Sequence, residues 1–146
     1  MDALTRLVET EAIKQLKYRY FRFLDGKQWD AMAELFSEDA TVAYGDGKFS
    51  YQGREQIMDF LRNALGRDSM RTAHHGHHPE IDFTSDTTAT GIWALRDTVI
   101  DKDNHFTLNG AAFYHDEYVK VDGEWKIRST GYERLYEEID TSAPGS

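Results

Sequence analysis

The sequence predicts an α+β fold, because apolar residues recur at helical spacing up to Gly66 and at strand-like alternation over most of the remaining chain. The strand-like part consists of long β-rich runs joined by short turn segments, as in successive antiparallel strands. Helices that precede such a run cover one face of its sheet. We therefore predict a cone-shaped α+β barrel, in which N-terminal helices pack on a curved antiparallel sheet and enclose an apolar cavity.

Length and composition indicate one domain. The chain has 146 residues, of which 40% are hydrophobic and 13% aromatic. Such a chain can bury roughly 68–70% of the surface that it exposes when unfolded. We find no internal repeat or linker, and predict a single domain over residues 1–140. Residues 141–146 are small and polar, and are predicted to form a flexible C-terminal tail.

Charge and cysteine content exclude several classes of function. The chain has 17 Lys and Arg against 26 Asp and Glu, a net charge of −9, so nucleic acid and anionic membranes are poor partners. With Cys 0, there is no disulfide framework and no thiolate nucleophile. The N-terminus lacks the apolar stretch of a signal peptide, and no apolar run approaches the ~18 residues that cross a bilayer. We expect a cytoplasmic protein.

Three helices are predicted before Gly66. The first runs from Leu4 to Leu24 and stops at Gly26, a residue that can take the left-handed conformation common after a helix end. A short helix from Trp29 to Phe36 packs back on it, and a third helix follows Gly53. The predicted apolar stripe of the first helix comprises Leu7, Ile13, Leu16, Tyr20, Phe23 and Leu24.

Strands are predicted both between and after these helices. Two short ones flank a Gly45-Asp46-Gly47 turn, and four longer ones form the second half of the chain. The predicted ranges are 40–44, 49–51, 74–83, 87–101, 106–121 and 124 to about 136.

One strand carries a carboxylate in an otherwise apolar row. Alternate residues of a strand share a face, which places Asp97 with Trp93, Leu95 and Val99. Asp97 could lie at a strand end in water or hold a structural arginine. If it is buried, it needs a cationic partner such as His⁺ or Arg to stay ionised. We predict that Asp97 is a catalytic residue and that Trp93, in the same row, contacts the substrate.

Four of the six histidines lie between positions 74 and 78. Histidines two residues apart can chelate a metal, but alternation sends His74 and His78 to one face and His75 and His77 to the other. No acidic ligand lies at a local spacing with them. We therefore expect no metal site.

A histidine that faces inward would be a candidate general base, because imidazole titrates near neutral pH. Counting back from Phe83 favours His75 and His77 as the inward pair. Pro79 interrupts this count, since proline in a strand often marks an edge or a bulge. The residues alone therefore leave the choice among the histidines open.

Four further polar residues lie next to apolar ones. Tyr20 belongs to the stripe of the first helix, where it could also be a core tyrosine, and Asp25 ends that helix, where it could be a cap. Asn109 shares a strand row with Ala111 and Phe113, and Arg134 shares one with Tyr132 and Tyr136. Lining one cavity, they would supply an acid–base enzyme that needs no cofactor.

Several segments resemble a known family. The order of helices and strands resembles the superfamily of nuclear transport factor 2, scytalone dehydratase, ketosteroid isomerase and the SnoaL-like polyketide cyclases. Within it, the resemblance is closest to bacterial bile acid 7α-dehydratases and runs from about Glu11 to Glu138. The segments that carry it are EAIKQLKYRYFRFLDGKQWD, HHGHHPEI, TATGIWALRD, LNGAAFYHDEY and DGEWKIRSTGYERLYEE.

The resemblance implies a role for each candidate residue. It places His74 at the catalytic base and Tyr20 at the family's tyrosine. Asp25 and Asp97 correspond to two family aspartates, either of which could orient His74, and Asn109 and Arg134 to polar cavity positions. The histidines at positions 75 and 78 depart from the family pattern.

The implied activity is that of a cofactor-independent dehydratase, a lyase that removes water from a hydroxylated, carbonyl-activated steroid-like or polycyclic substrate. The expected partner is a small hydrophobic molecule, such as a CoA thioester, and the family implies a homo-oligomer, either a trimer or a dimer. An isomerase-like or cyclase-like enzyme would use the same base and donor, and a non-catalytic binding domain is the third alternative.

Overall fold

A computed structural model of the chain describes residues 1–143; the last three positions of the predicted tail, 144–146, lie outside the described residues. The helices are α1 (Ala3–Asp25), α2 (Trp29–Ala33) and α3 (Arg54–Leu65). The strands are β1 (Phe36–Tyr44), β2 (Phe49–Gln52), β3 (Met70–Phe83), β4 (Thr88–Asp101), β5 (Phe106–Val121) and β6 (Glu124–Asp140). The predicted α+β class is confirmed.

Helix α1 packs along the sheet through a stripe that differs in part from the predicted one. Its buried residues are Ile13, Leu16, Lys17, Tyr20, Phe21 and Leu24. Leu7 was expected in this stripe but is 69% exposed, because the first turns of α1, with Leu4 and Val8, are not covered by the core. Lys17 is fully buried in its place among the apolar residues.

The end of α1 also differs from the prediction. Gly26 has φ −84°, and the left-handed residue is Lys27, with φ 54°. A Cβ at position 26 would lie 3.0 Å from the carbonyl oxygen of Arg22, so close approach of the backbone favours glycine there. The chain then turns back, and Asp25 is left facing β3.

The strands form one curved, unclosed sheet in the order β2-β1-β6-β5-β4-β3. The prediction of an all-antiparallel sheet was wrong at one pair, since β1 runs parallel to β6. Strands that are neighbours in sequence reveal their direction through short turns, whereas β1 and β6 meet from opposite ends of the chain. The antiparallel run β3 to β6 forms the long wall on which α1 packs.

Bulges on β3 and β6 change which side chains face the cavity. His77 pairs with Ala94 but Glu80 with Ile92, so β3 carries one extra residue relative to β4, and His78 takes φ 52° there. A second bulge lets Ala111 pair with Tyr136 and Ala112 with Arg134, which turns Tyr136 outward. Each bulge reverses the alternation on its strand.

Within residues 1–143, no helix is both long enough and apolar enough to cross a bilayer.

Candidate active site

An internal cavity of about 300 Å³ lies between the helices and the sheet, at the small end of the ~300–1,000 Å³ usual for ligand sites. Its polar lining comprises Tyr20, Tyr44, His74, Asp97, Tyr114, Tyr132 and Arg134. Its apolar lining comprises Leu24, Phe49, Phe60, Leu61, Ala64, Leu65, Met70, Val99, Phe106 and Leu108. Tyr20, His74 and Asp97 therefore converge on one largely apolar cavity.

His74 is held by Asp25. Its Nδ1 lies 2.7 Å from Oδ1 of Asp25, and its backbone N–H donates to Oδ2 at 2.8 Å. The hydroxyl of Thr72 donates to the same carboxylate at 2.9 Å. Because a carboxylate only accepts, Nδ1 carries the proton of neutral His74, and Nε2 keeps a lone pair for a ligand. Of the two candidate aspartates, Asp25 is the one that is hydrogen-bonded to His74.

The bulge at His78 explains why His74 faces inward. Counting back from Phe83 without the extra residue favoured His75 and His77, and that expectation was wrong: both are exposed on the outer face. Their rings lie 6.4 Å apart. Among the described residues, no group of three or more His, Asp or Glu side chains has the arrangement of a metal site.

The hydroxyl of Tyr20 is hydrogen-bonded to that of a second tyrosine, Tyr44. The two oxygen atoms lie 2.7 Å apart, and both side chains line the cavity. Burial, followed by the nearby phenols of Tyr114 and Tyr44, raises the pKa of Tyr20 well above its ordinary value. Burial also raises the pKa of Tyr44. Both groups therefore remain neutral hydrogen-bond donors at ordinary pH. Tyr20 is fully buried in the core, and its hydroxyl is bonded to a phenol and not to the backbone.

Asp97 is paired with Arg134, and we call these two residues the cavity pair. Nη1 of Arg134 donates to Oδ1 of Asp97 at 2.6 Å and Nη2 to Oδ2 at 3.0 Å, a bidentate arrangement. Although burial lowers the pKa of Arg134, the hydrogen bonds and charge of Asp97 raise it above the ordinary value overall. The expected cationic partner of Asp97 is thus Arg134.

Gly110 makes room for the cavity pair. It lies opposite Asp97 on β5, and a Cβ there would lie 2.5 Å from Nη1 of Arg134. A side chain at this position would push the guanidinium off the carboxylate.

Asn109 does not line the cavity, and the expectation that it does was wrong. It is exposed, and its amide oxygen accepts from the hydroxyl of Thr98 at 2.7 Å on the outer face. The inward residues of β5 are Leu108, Gly110, Ala112, Tyr114, Asp116 and Tyr118. The sequence argument placed Asn109 on the inner face because Phe113 resembles a core residue, yet Phe113 is 40% exposed.

Trp93 faces inward as predicted but lies outside the cavity lining, which corrects its assignment as a substrate contact. Asp97 lies four positions further along β4, about 13 Å away at strand spacing. Its Nε1 donates to the hydroxyl of Tyr118 at 2.9 Å, in a closed part of the core.

Sequence reasoning missed several polar residues of the core. Tyr44 continues the buried row of Ala40 and Val42 on β1, and this alternation was a usable signal. Tyr114 and Tyr132 lie across from each other on β5 and β6 and border the cavity. Their hydroxyls add to a lining that is rich in phenols and poor in unpaired charge.

The charges in the cavity are compensated within the protein. Asp25 is bonded to His74 and Asp97 to Arg134, and the remaining polar lining is phenolic. Such a site favours a largely apolar ligand and offers a base and hydrogen-bond donors to it. The fold and the lining together define a candidate acid–base site in a cone-shaped α+β domain.

Comparison with known proteins identifies the family. Residues 5–131 match the SnoaL-like domain, and the chain belongs to this family, within the superfamily of nuclear transport factor 2. The fold is that of a solved scytalone dehydratase-like protein of Novosphingobium aromaticivorans, with a TM-score of 0.87 and 28% identity over 97% of this chain and 93% of that one.

Two curated relatives are similar along most of the sequence. Hexachlorocyclohexane dehydrochlorinase 1 of Sphingobium indicum is 28% identical over 127 residues, 87% of this chain and 82% of the relative. A protein of Gibberella zeae named as a probable cyclase is 26% identical over 136 residues, 85% of this chain and 89% of the relative. The particular resemblance to bile acid 7α-dehydratases stays a prediction.

Proposed function

We propose that this protein is a cofactor-independent dehydratase that eliminates water from a hydroxylated, carbonyl-activated steroid-like or polycyclic substrate. One observation carries the proposal. His74, which is paired with Asp25, lines the same apolar cavity as Tyr20 and Tyr44, whose hydroxyls are hydrogen-bonded to each other. A base and oxyanion donors facing one apolar space suit proton abstraction from a carbon acidified by a carbonyl group.

In the proposed reaction, Nε2 of His74 takes a proton from a carbon next to the conjugated enone, where the carbonyl group makes the C–H bond acidic. The electrons of the broken C–H bond move toward the carbonyl oxygen, which becomes an enolate. Tyr20 donates a hydrogen bond to that oxygen, and it can do so while accepting one from Tyr44. Asp25 stabilises the imidazolium that forms, as a carboxylate does for a catalytic histidine.

The second half of the reaction expels water. The enolate electrons return to form the carbon–carbon double bond, the C–O bond to the hydroxyl group breaks, and His74 returns its proton to the departing hydroxide. His74 thus acts first as base and then as acid, which leaves it unchanged after one turnover. A proton shuttle of this kind contributes about 10²–10⁴ in rate, and the donors and the positioning of substrate supply the rest.

The cavity size bears on the substrate. A space of about 300 Å³ holds the reacting ring system of a polycyclic ketone, so a bulky extension such as a CoA thioester would lie outside it. The cavity pair presents a guanidinium edge beside this space, already neutralised by Asp97, and it would orient a substrate oxygen rather than bind a free anion.

The relatives support an enzyme that breaks bonds next to an acidic carbon. By their names, one relative is a dehydrochlorinase and a structural neighbour is scytalone dehydratase-like. The probable cyclase among the relatives favours a second candidate, a cyclase that uses the same base and donors to form a carbon–carbon bond without losing water.

Mutants assayed on a substrate panel test the proposal. The panel contains a 7-hydroxy-3-oxo-4-ene steroid thioester and hydroxylated polycyclic ketones, and release of the unsaturated product is followed by mass. Tyr20→Phe removes one donor and should lower turnover about 10²–10³-fold. His74→Ala should lower it as much or more, and the double mutant should lose far less than the product of both losses.

The matched control is His75→Ala, which removes an exposed imidazole from the outer face of the same strand. It should retain wild-type turnover. Folded Tyr20→Phe and His74→Ala variants that turn over an authentic substrate at the wild-type rate would disprove the proposal. Products of unchanged mass with a new ring would replace the dehydratase by the cyclase.

A further inference from the structure

A second ion pair is buried in the core, outside the cavity lining, and the proposed mechanism does not use it. Nζ of Lys17 on α1 lies 2.9 Å from Oδ2 of Asp116 on β5, and both side chains are fully buried. We call these two residues the sealed pair.

The carboxylate of the sealed pair is saturated by the protein. Besides Lys17, it accepts hydrogen bonds from the hydroxyl of Tyr118 at 2.7 Å and that of Thr130 at 2.6 Å. Nζ of Lys17 also lies 3.4 Å from Oγ1 of Thr130. This network anchors the ammonium group at one place in the core.

That place is against the faces of two cavity tyrosines. Nζ of Lys17 lies 4.1 Å from the centre of the Tyr20 ring and 3.8 Å from that of Tyr114. Both tyrosines reach the cavity, while Lys17 does not line it. The rings of Tyr20 and Tyr114 thus connect the ammonium group to the cavity.

A cation on the face of a phenol ring has a definite electronic effect. Negative charge that develops on a phenol oxygen is partly spread over the ring carbons, and an anionic oxygen that accepts the phenol's hydrogen bond polarises the ring in the same direction. A cation at the ring face stabilises that charge, and does so more strongly where water is excluded. The effect is absent when the ring faces an alkyl group.

Lys17 is held as one partner of an ion pair in a fully buried site. Burial lowers the pKa of Lys17 below its ordinary value, because an ammonium group loses its hydration, and the charge and hydrogen bond of Asp116 offset that change only in part. The other groups at Nζ are uncharged: the Thr130 hydroxyl and the rings of Tyr20, Tyr114 and Phe21.

We propose that Lys17, anchored by Asp116, is a positioning residue that acts through the rings of Tyr20 and Tyr114 so that the cavity binds the anionic, enolate-like form of its ligand in preference to the neutral form. This inference rests on the proposed role of Tyr20 as the oxyanion donor. It assigns the specificity for charge to a residue that no ligand touches.

The test uses 4-nitrophenol, whose anion absorbs at a longer wavelength than the neutral phenol and mimics an enolate oxygen. The ratio of ionised to neutral bound probe is measured at one fixed pH in wild type and in Lys17→Met/Asp116→Asn. Removing both charges leaves no uncompensated buried ion, and the introduced amide oxygen still accepts from Tyr118 and Thr130. The ratio should fall about three- to tenfold, and kcat should fall while KM changes little.

Two further variants separate the possible failures. Trp125→Phe removes the indole that donates to Glu9, away from the cavity, and should leave the ratio unchanged. Tyr20→Phe should lower the ratio at least as much as the sealed-pair variant does. If Tyr20→Phe has no effect, the donor role in the proposed function is wrong, and this inference fails with it.

If Tyr20→Phe lowers the ratio while a folded Lys17→Met/Asp116→Asn variant keeps it, the inference alone is overturned. Should the Met variant not fold, Lys17→Gln/Asp116→Asn replaces the ion pair by hydrogen-bonded amides and is measured in the same way. If neither variant folds, the pair is structural and the inference is withdrawn.

Discussion

The cavity pair and the sealed pair place a similar ion pair in two different settings. Asp97 and Asp116 lie on the inward rows of neighbouring strands, β4 and β5, and each is bonded to one cation. Arg134 of the cavity pair is 11% exposed in its side chain and borders the cavity, whereas both side chains of the sealed pair are 0% exposed. The setting decides whether a ligand can meet the ions directly or only through intervening rings.

The largest effect is expected when one partner of the sealed pair is removed. Lys17→Met leaves the Asp116 carboxylate without a cation in a site that water does not reach. We expect the free energy of unfolding to fall by about 3–5 kcal/mol, as for other broken buried pairs. Urea unfolding of both proteins measures it. A loss below about 1 kcal/mol, the value typical of exposed pairs, would contradict the sealed setting.

A smaller effect is expected from the cavity pair. In Asp97→Asn, the guanidinium of Arg134 can still donate to the amide oxygen of the new asparagine. Its Nε also lies 3.5 Å from Oε2 of Glu137, and water in the cavity can solvate it. The free energy of unfolding should fall by about 1–3 kcal/mol, while turnover falls because the guanidinium is no longer fixed. The same urea experiment measures the first quantity. If Asp97→Asn costs as much stability as Lys17→Met, the two settings do not differ.

Alkaline titration extends the comparison to the phenols. Burial raises the pKa of Tyr118, and the charge of Asp116 raises it further, whereas Arg134 partly offsets the effect of burial on the pKa of Tyr132. The native state therefore holds its phenol protons more tightly than the unfolded chain does. The contribution of the phenols to stability should be constant below about pH 10, the ordinary phenol value, and should fall as pH rises above it.

Tyrosine absorbance, recorded beside a fluorescence probe of unfolding, measures this titration. Of the buried phenols, Tyr132 should ionise first, and those of Tyr20, Tyr44, Tyr114 and Tyr118 only as the protein unfolds. Full ionisation of all tyrosines in the folded protein near pH 10 would show that these phenols are not sealed from water.

The smallest effect is expected outside both pairs. Asn109→Ala removes an exposed amide whose oxygen accepts a hydrogen bond from the hydroxyl of Thr98. Stability should change by less than about 0.5 kcal/mol, and turnover should stay at the wild-type value. A loss of turnover as large as that of Asp97→Asn would place Asn109 back in the site.

The two pairs also show what the sequence could predict. Asp97 was identified because a carboxylate interrupts an apolar row on β4, and Asp116 interrupts the inward row of β5 in the same way. Asp116 was missed because that row was assigned one residue out of step, on the strength of Phe113. The same error selected Asn109. Alternation assigns the two faces of a strand reliably only when one residue of that strand is known to be buried.

Other parts of the site depend on features that local patterns do not encode. The inward position of His74 depends on the bulge at His78. Pro79 indicated an edge or a bulge nearby, but only the family resemblance selected His74 among the histidines. Lys17 lies at helical spacing from Ile13 and Tyr20, but a lysine is rarely buried without a partner, and its partner is far away in sequence. The helices and the local antiparallel pairs, whose signals are short-range, were predicted. The exception is the segment after α2, which was expected to stay helical to Phe36, whereas α2 ends at Ala33 and β1 begins at Phe36.

The central claim is that His74 abstracts a proton from carbon in this cavity while Tyr20 stabilises the resulting oxyanion. A 3-oxo-4-ene steroid without the 7-hydroxyl group cannot eliminate water, so incubating it with the protein in D₂O isolates this step. Deuterium uptake at the carbon next to the conjugated enone is followed by NMR. Wild type should catalyse uptake, Tyr20→Phe should be about 10²–10³-fold slower, and His74→Ala should show only the background rate. Uptake by folded His74→Ala at the wild-type rate would contradict the account.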